Sequence, residues 1–218
     1  PLTFMGAEMG LLVEMWNFCI SYPTQELYLM DDDTTAAFQH IKFPPALVAM
    51  NTSRLCGVGV LSTGAHFGGC TTPSNWDPIA LAHQRFVQYL WLNKPNLRSY
   101  AKCFVPQVQL ATPPTQGQVQ QFAWATPDAI NKGVLGLTGK CEPPCYHTHV
   151  DDNCYLDIAE SLQHTVDCSA ISLYILLGFP SEIAFSALSL DKFHEYSNHY
   201  HQWIGHSFNT RDLTVGMT

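Results

Sequence analysis

Two adjacent aspartates, Asp151 and Asp152, are the residues of this sequence best suited to chemistry. They lie between two short β-prone runs, Tyr146–His149 and Asn153–Leu156, which predict a β-hairpin with the acids at its tip. Apolar and aromatic neighbours hold these like charges near low-dielectric surroundings, where they repel each other and require a cation. Because aspartate oxygens suit magnesium, the pattern predicts a Mg²⁺ site.

A third acid is available at the end of an earlier run with strand character. Leu27–Met30 is apolar and leads directly into Asp31, Asp32 and Asp33. Phe38 follows Asp33 by five positions. The elements that must position the three acids are therefore a strand and a hairpin that lie far apart in the sequence.

Five short motifs occur in an order that resembles the palm of reverse transcriptases. They are D-x-x-x-A-F from Asp33, F-G-G-C-T-T-P from Phe67, H-V-D-D from His149, L-D-K from Leu190 and W-I-G-H-S-F from Trp203, and they resemble motifs A to E. The pattern looks most like that of retrotransposon enzymes, with the DIRS type as one candidate. The resemblance runs from about Leu27 to the C-terminus and is interrupted by one long insert.

This resemblance implies an RNA-directed DNA polymerase that transfers dNTPs to a primer 3′-hydroxyl by a two-metal mechanism. It assigns Asp33, Asp151 and Asp152 both catalytic and metal-binding roles, with Mg²⁺ as the cofactor and Mn²⁺ as a substitute. Lys192 in motif D would protonate the leaving pyrophosphate. The implied partners are an RNA or DNA template with its primer, a dNTP and the remainder of the polymerase polyprotein.

The same resemblance assigns contacts to the nucleotide and the primer. Phe38 is similar to the aromatic that packs under the nucleotide sugar and excludes a 2′-hydroxyl, although a plain core phenylalanine is the alternative. Gly68 and Gly69 lie in the turn that abuts the nucleotide and template, where this chain lacks the usual glutamine. His149 replaces the usual aromatic of motif C. The primer-binding residues implied are His149, Trp203 and Gly205.

The expected fold class is α+β: a polymerase palm with an antiparallel sheet backed by helices, with incomplete fingers and no thumb. Three segments are predicted: 1–92 with motifs A and B, 93–140 as a flexible insertion rich in Gln, Thr and Pro, and 141–218 with motifs C, D and E. Apolar periodicity predicts helices at Met5–Ile20, Asn75–Leu92 and Leu156–Leu177. Further strands are predicted at Ala46–Asn51 and Leu55–Leu61.

Several polar residues are expected to have structural roles only. Ser74 can cap the second helix, and His83 on its apolar face is predicted to be a satisfied core histidine. Because the spacing to Phe38 selects Asp33, Asp31 and Asp32 are expected to be solvated or capping residues.

Charge and composition limit the functional classes. The net charge of −8 argues against nucleic-acid binding, unless the basic fingers and thumb that grip the duplex lie outside this chain. Pro1 is not an initiator methionine, so we expect a piece of a longer protein. No run has membrane-spanning length, and the eight cysteines show no disulfide framework, so an intracellular location in cytoplasm or nucleus is expected.

Two other classes of protein remain open at this point. One is a catalytically inactive or domesticated palm fragment that serves as an interaction module. The other is a small zinc-binding module, because two cysteines and two histidines stand close together in sequence. Those four residues are Cys141, Cys145, His147 and His149.

Overall fold

The computed structural model describes residues 6–22, 24–50, 52–65, 72–105, 107–110, 145–181, 186–189, 196–197, 200–211 and 214–217. Its helices are α1 Gly6–Ser21, α2 Pro45–Val48, α3 Thr72–Asn93, α4 Arg98–Ala101 and α5 Ala159–Leu177, with a 3₁₀ turn at Ala37–His40. Its strands are β1 Leu27–Asp33, β2 Thr52–Leu55, β3 Val58–Leu61, β4 Gln109–Leu110, β5 Cys145–His149, β6 Asp152–Ile158, β7 Tyr196–Ser197, β8 Tyr200–Trp203, β9 His206–Asn209 and β10 Thr214–Met217.

The central sheet is antiparallel and has the strand order β1-β6-β5. Its register pairs Leu27 with Ile158 at one end and Asp33 with Asp152 at the other. Successive side chains of a strand point to opposite faces, and β1 is buried along most of its length. The sheet is therefore covered on both sides, which explains why Leu27–Met30 of β1 is apolar without a polar alternation.

The first face of the sheet packs against helices α3 and α5. Tyr28 and Met30 of β1 and Tyr155 of β6 contribute to this core together with Val87 of α3 and Val166 of α5. Burial of each such side chain stabilises the fold by roughly 1.5–3 kcal/mol relative to exposure.

The second face packs against α1 and the C-terminal sheet, whose strand order is β10-β9-β8. Leu11 and Phe18 of α1 meet Leu29 of β1 in this core, and Trp203 and Phe208 enter it from β8 and β9. A hydrogen bond from the Thr210 hydroxyl to the Leu27 carbonyl, 2.8 Å long, attaches the C-terminal sheet to the central one.

The α+β class is confirmed, as are strand character at Leu27–Met30 and helices close to two of the predicted ranges. The predicted strand at Ala46–Asn51 is wrong, because Pro45 begins a short helix for which its fixed φ is suited. The second helix begins at Thr72, so Ser74 lies inside it and does not cap it.

The predicted start of the third helix is also wrong. Leu156–Ile158 belongs to β6, where pairing with Leu27–Leu29 outweighs helical periodicity, and the helix begins at Ala159. Asp157 consequently lies in a strand and is buried. Its carboxylate accepts hydrogen bonds from the Ile158 amide and the Thr165 hydroxyl.

The first part of the predicted insertion at 93–140 packs against the core. Leu97, Ala101 and Val105 are buried in the core of the first face. Arg98 donates to the buried Asp167 carboxylate of α5 at 2.8 Å. Residues 111–140, the larger part of that predicted insertion, lie outside the described residues.

The described helices include none that is both long and apolar enough to cross a membrane. The described cysteines are free thiols and form no disulfide with one another.

Candidate active site

The structure brings the predicted acids together at one end of the central sheet. Asp33 is directly opposite Asp152 on β6, and Asp152 is directly opposite His149 on β5. Directly opposed residues point to the same face of a sheet, with Cβ atoms about 4.5–5.5 Å apart. Asp33, Asp152 and His149 therefore form one row across three strands.

Asp151 lies beside this row in the predicted hairpin, which the structure confirms. Val150 and Asp151 form a two-residue turn between the paired His149 and Asp152. The Asp151 carbonyl accepts a hydrogen bond of 3.2 Å from the Thr34 amide, directly after Asp33. The backbone thus holds the tip of the hairpin against the end of β1.

The turn carries backbone strain. Val150 has φ 59°, a left-handed value that β-branched residues rarely adopt, and its cost is about 1–2 kcal/mol. The Trp76 indole N–H of α3 donates to the Val150 carbonyl at 2.6 Å and fixes the turn in this conformation. Strained residues that the surrounding structure holds in place concentrate at functional sites.

A further segment supports β1 from its other side. The Ser189 amide donates to the Asp33 carbonyl at 2.9 Å, and the Thr35 amide donates to the Ala187 carbonyl at 2.8 Å. The beginning of predicted motif D therefore lies beside predicted motif A. The end of β1 at Asp33 is therefore hydrogen-bonded to β6 on one side and to residues 187–189 on the other.

The electrostatics of this row favour a bound cation. Asp33 is only 6% exposed, whereas Asp151 and Asp152 are half-buried. Like charges directly opposite each other destabilise a sheet, and a buried carboxylate requires compensation. The three carboxylates of Asp33, Asp151 and Asp152 fit Mg²⁺ by their chemistry. Within the described ranges, no three His, Cys, Asp or Glu side chains form a ready-made metal-binding group.

The expectation that Asp32 is solvated or capping is wrong. Asp32 is 3% exposed, accepts a 2.6 Å hydrogen bond from the Asn153 amide group, and accepts another of 3.1 Å from the Ser169 hydroxyl. Burial raises the pKa of Asp32 to about 7, against the lowering effect of these two hydrogen bonds. Strand alternation explains its position, because Asp32 shares the face of Tyr28 and Met30.

The buried polar network continues from Ser169 to His83, and the prediction of a satisfied core histidine is confirmed. His83 Nε2 lies 3.1 Å from the Ser169 carbonyl, and its Nδ1 lies 2.8 Å from the Tyr146 hydroxyl. A neutral imidazole that donates from Nε2 and accepts at Nδ1 satisfies both contacts. Burial lowers the pKa of His83 to about 4.

Phe38 packs below the hairpin tip. It is 5% exposed and lies edge-on to Trp76, with ring centroids 6.4 Å apart, in a cluster that Val150 also contacts. Phe38 therefore packs as a core phenylalanine, which is the alternative to a nucleotide contact.

The predicted primer-binding residues lie in two places. His149 belongs to the acidic row, whereas Trp203 is 3% exposed and packs in the core of the second face. Gly205 is exposed in the turn of the β8-β9 hairpin and has φ 79°. The buried Trp203 side chain supports this hairpin from inside.

Two of the candidate zinc ligands have other partners in the structure. Cys145 packs in the core of the second face, and His147 lies 2.6 Å from the Glu14 carboxylate of α1. Four of the predicted residues lie outside the described residues: Gly68, Gly69, Cys141 and Lys192.

Sequence reasoning missed the residues that position the site. Trp76 falls within the predicted helix Asn75–Leu92, but the sequence gives no signal that its indole N–H has a long-range partner. Asn153 and Ser169 were not singled out either. Applying the two-residue strand period to Asp32 would have indicated a buried acid in need of such donors.

In comparisons with known proteins, no family model, no curated protein and no solved structure matches this chain.

Proposed function

We propose that this chain is the palm of an RNA-directed DNA polymerase of the retrotransposon type, which extends a primer with dNTPs. The observation that carries the proposal is the cross-strand register of Asp33 with Asp152. Two acids from distant parts of the sequence are paired beside a strained hairpin turn, which supports a shared metal site for nucleotidyl transfer.

Each residue has a defined task in this proposal. Asp33, Asp151 and Asp152 would hold Mg²⁺, or Mn²⁺ in its place. The metal would activate the primer hydroxyl and neutralise charge on the leaving phosphate. The rigid hairpin positions the carboxylates, because Trp76 and the Thr34 amide fix its backbone. Positioning and charge stabilisation account for most of the rate in phosphoryl transfer.

The proposal extends to partners and location. The partners are an RNA or DNA template with its primer, a dNTP and the rest of the polymerase polyprotein. Such a protein acts inside the cell, in cytoplasm or nucleus. Lys192, Gly68 and Gly69 keep their proposed contacts to pyrophosphate and nucleotide, and His149 and Gly205 are the proposed primer contacts.

Primer extension by the full-length protein that carries this sequence tests the proposal. We expect Asp33→Asn and Asp151→Asn each to reduce extension of a primed RNA template by at least about a hundredfold, since each removes several kcal/mol of charge stabilisation. The matched control is Asp31→Asn, which removes the same charge from the same strand. Asp31 lies 3.3 Å from His201, and this variant should keep activity within a few-fold.

Near-normal extension by Asp151→Asn would overturn the proposal. Failure of the unaltered protein to extend any primer would also overturn it and would leave the non-catalytic interaction module as the better account.

A further inference from the structure

An open cleft lies between the C-terminal end of α5 and the segment that follows α4. Its volume is about 340 Å³, and sites for small ligands begin at roughly 300 Å³. The lining residues come from these two distant parts of the sequence and are Cys103, Phe104, Tyr174, Pro180, Ser181 and Ser186. Tertiary packing therefore forms a space that is large enough for one small molecule.

Aromatic rings form the apolar wall of the cleft. Phe104 lies edge-on to Tyr174, with ring centroids 5.8 Å apart. The Phe179 ring adjoins both of them, at centroid distances of 5.8 Å and 5.6 Å. Because each ring limits the rotation of the other two, the wall is largely formed before any ligand binds. Aromatic rings pack favourably in edge-on and offset arrangements, so a further planar ring suits this wall.

The hydroxyl of Ser186 is the polar group of the cleft whose hydrogen bonds have a defined direction. The Leu188 amide donates to Ser186 Oγ at 3.2 Å, and Ser186 Oγ lies 3.1 Å from the Tyr174 hydroxyl. The Tyr174 hydroxyl donates to the Phe104 carbonyl at 3.4 Å, and burial raises the pKa of Tyr174, so this donor keeps its proton at neutral pH. Every hydrogen in this chain has an acceptor when Ser186 donates to Tyr174. Since a hydroxyl oxygen has two lone pairs, Ser186 Oγ then has one acceptor position left for a ligand.

We propose that this α4–α5 cleft binds a small planar aromatic molecule that carries one O–H or N–H donor. The ring of the ligand would pack against Phe104 and Tyr174, and its donor would bond to Ser186 Oγ. A charged ligand is less suited, because none of the six described lining residues is Lys, Arg, His, Asp or Glu. Apolar walls with a few placed polar groups are typical of small-molecule sites.

The backbone connects the cleft to the candidate active site. Ser186 begins the short segment beside the end of β1, where the Thr35 amide donates to the Ala187 carbonyl and the Ser189 amide donates to the Asp33 carbonyl. A ligand bonded to Ser186 would stabilise this segment and thereby support the position of Asp33. Any effect of the ligand on primer extension rests on the proposed function, whereas binding to the cleft does not.

Protection of Cys103 from alkylation tests the site in the 218-residue chain, without metal or nucleic acid. Cys103 lines the cleft and is exposed, and Cys56 is an exposed thiol outside it. The probe is 4-methylphenol, for which we expect a Kd of roughly 1 mM because the molecule is so small. At about 5 mM probe, N-ethylmaleimide should modify Cys103 roughly sixfold more slowly and Cys56 at an unchanged rate. Mass spectrometry of the tryptic peptides measures both rates.

The matched control ligand is anisole, an isomer of 4-methylphenol that has no hydroxyl donor. Its Kd from the same protection assay should be about fivefold higher, because one hydrogen bond is lost. Equal Kd values for the two ligands would overturn the donor requirement. Unchanged alkylation of Cys103 in 4-methylphenol would overturn the site, as would equal slowing at Cys103 and Cys56.

A pair of serine variants tests the acceptor. Ser186→Ala should raise the Kd of 4-methylphenol about fivefold and leave that of anisole within about twofold, because only the hydrogen bond is lost. The control is Ser99→Ala, which removes an exposed hydroxyl outside the cleft that donates to the Asn96 carbonyl, and it should change neither Kd. Equal weakening of both ligands by Ser186→Ala would limit Ser186 to maintaining the shape of the cleft, and no weakening of either would remove it from the site. Each of these two outcomes would overturn the proposed acceptor.

Discussion

At the scale of single residues, burial decides the state of two titratable groups in the same polar network. The pKa of His83 is lowered to about 4 and that of Asp32 is raised to about 7, in both cases chiefly because burial disfavours the charged form. Ser169 contacts both side chains. The network therefore favours a neutral imidazole and shifts the carboxyl toward its neutral form.

These two shifts have opposite effects on the pH dependence of stability. Between about pH 4 and 6.5 the unfolded chain binds more protons at His83, so that group stabilises the fold as pH rises. Between about pH 4 and 7 the folded chain binds more protons at Asp32, so that group destabilises the fold as pH rises. The two contributions oppose each other in nearly the same pH window.

Removing one group should expose the effect of the other. We expect the free energy of unfolding of His83→Gln, compared with that of the unaltered chain, to fall more steeply as pH rises from 4.5 to 6.5. Urea denaturation at several pH values in EDTA measures this. Asp32→Asn is the control of opposite sign and should make stability rise with pH. Parallel curves for the two variants would contradict the assigned pKa directions.

At the scale of elements, helix α3 joins the hairpin tip to the core. It provides two indole hydrogen bonds, from Trp76 to the Val150 carbonyl at 2.6 Å and from Trp91 to the Thr165 hydroxyl at 3.1 Å. The first holds the strained turn, and the second attaches α3 to α5. Two chemically similar bonds on one helix thus have different consequences for the site.

A pair of matched variants separates those consequences. Trp76→Phe and Trp91→Phe should each lower the free energy of unfolding by about 1 kcal/mol, because each loses one hydrogen bond and keeps an aromatic ring. Only Trp76→Phe should also reduce primer extension, since the Val150 turn loses its anchor. Urea denaturation and extension assays together measure the difference. An equal loss of extension in both variants would assign the effect to stability alone.

Elements with strong local signals could be predicted from sequence, whereas long-range pairing could not. The hairpin at Val150, helix α3 and the strand before Asp33 follow from periodicity and flanking residues. The register of Asp33 with Asp152 depends on contacts between distant segments, and only the resemblance suggested it. Leu156–Ile158 was assigned to a helix because local periodicity does not include the pairing partner in β1. The burial of Asp32 follows from strand alternation, which places its side chain on the same buried face as Tyr28 and Met30. Its charge alone does not indicate this.

At the scale of the whole molecule, the two ends of the described chain meet in one core. Leu11 and Phe18 of α1 pack with Trp203 and Phe208 of the C-terminal sheet against the second face of the central sheet. The central strands connect this core to the one formed with α3 and α5. We therefore expect the described elements to unfold in a single cooperative transition.

Truncation of a residue in the shared core tests this cooperativity. Phe208 is fully buried, so Phe208→Ala should destabilise the fold by about 3–5 kcal/mol through lost contacts and a residual cavity. Phe179→Ala is the matched control, because that ring is 48% exposed and should cost much less. Far-UV circular dichroism follows the helices in urea, and tryptophan fluorescence includes Trp203 in the same core. N- and C-terminal elements stabilise each other in this core, so the circular dichroism and fluorescence transitions of Phe208→Ala should shift together. Separate transitions would show that the C-terminal sheet unfolds independently.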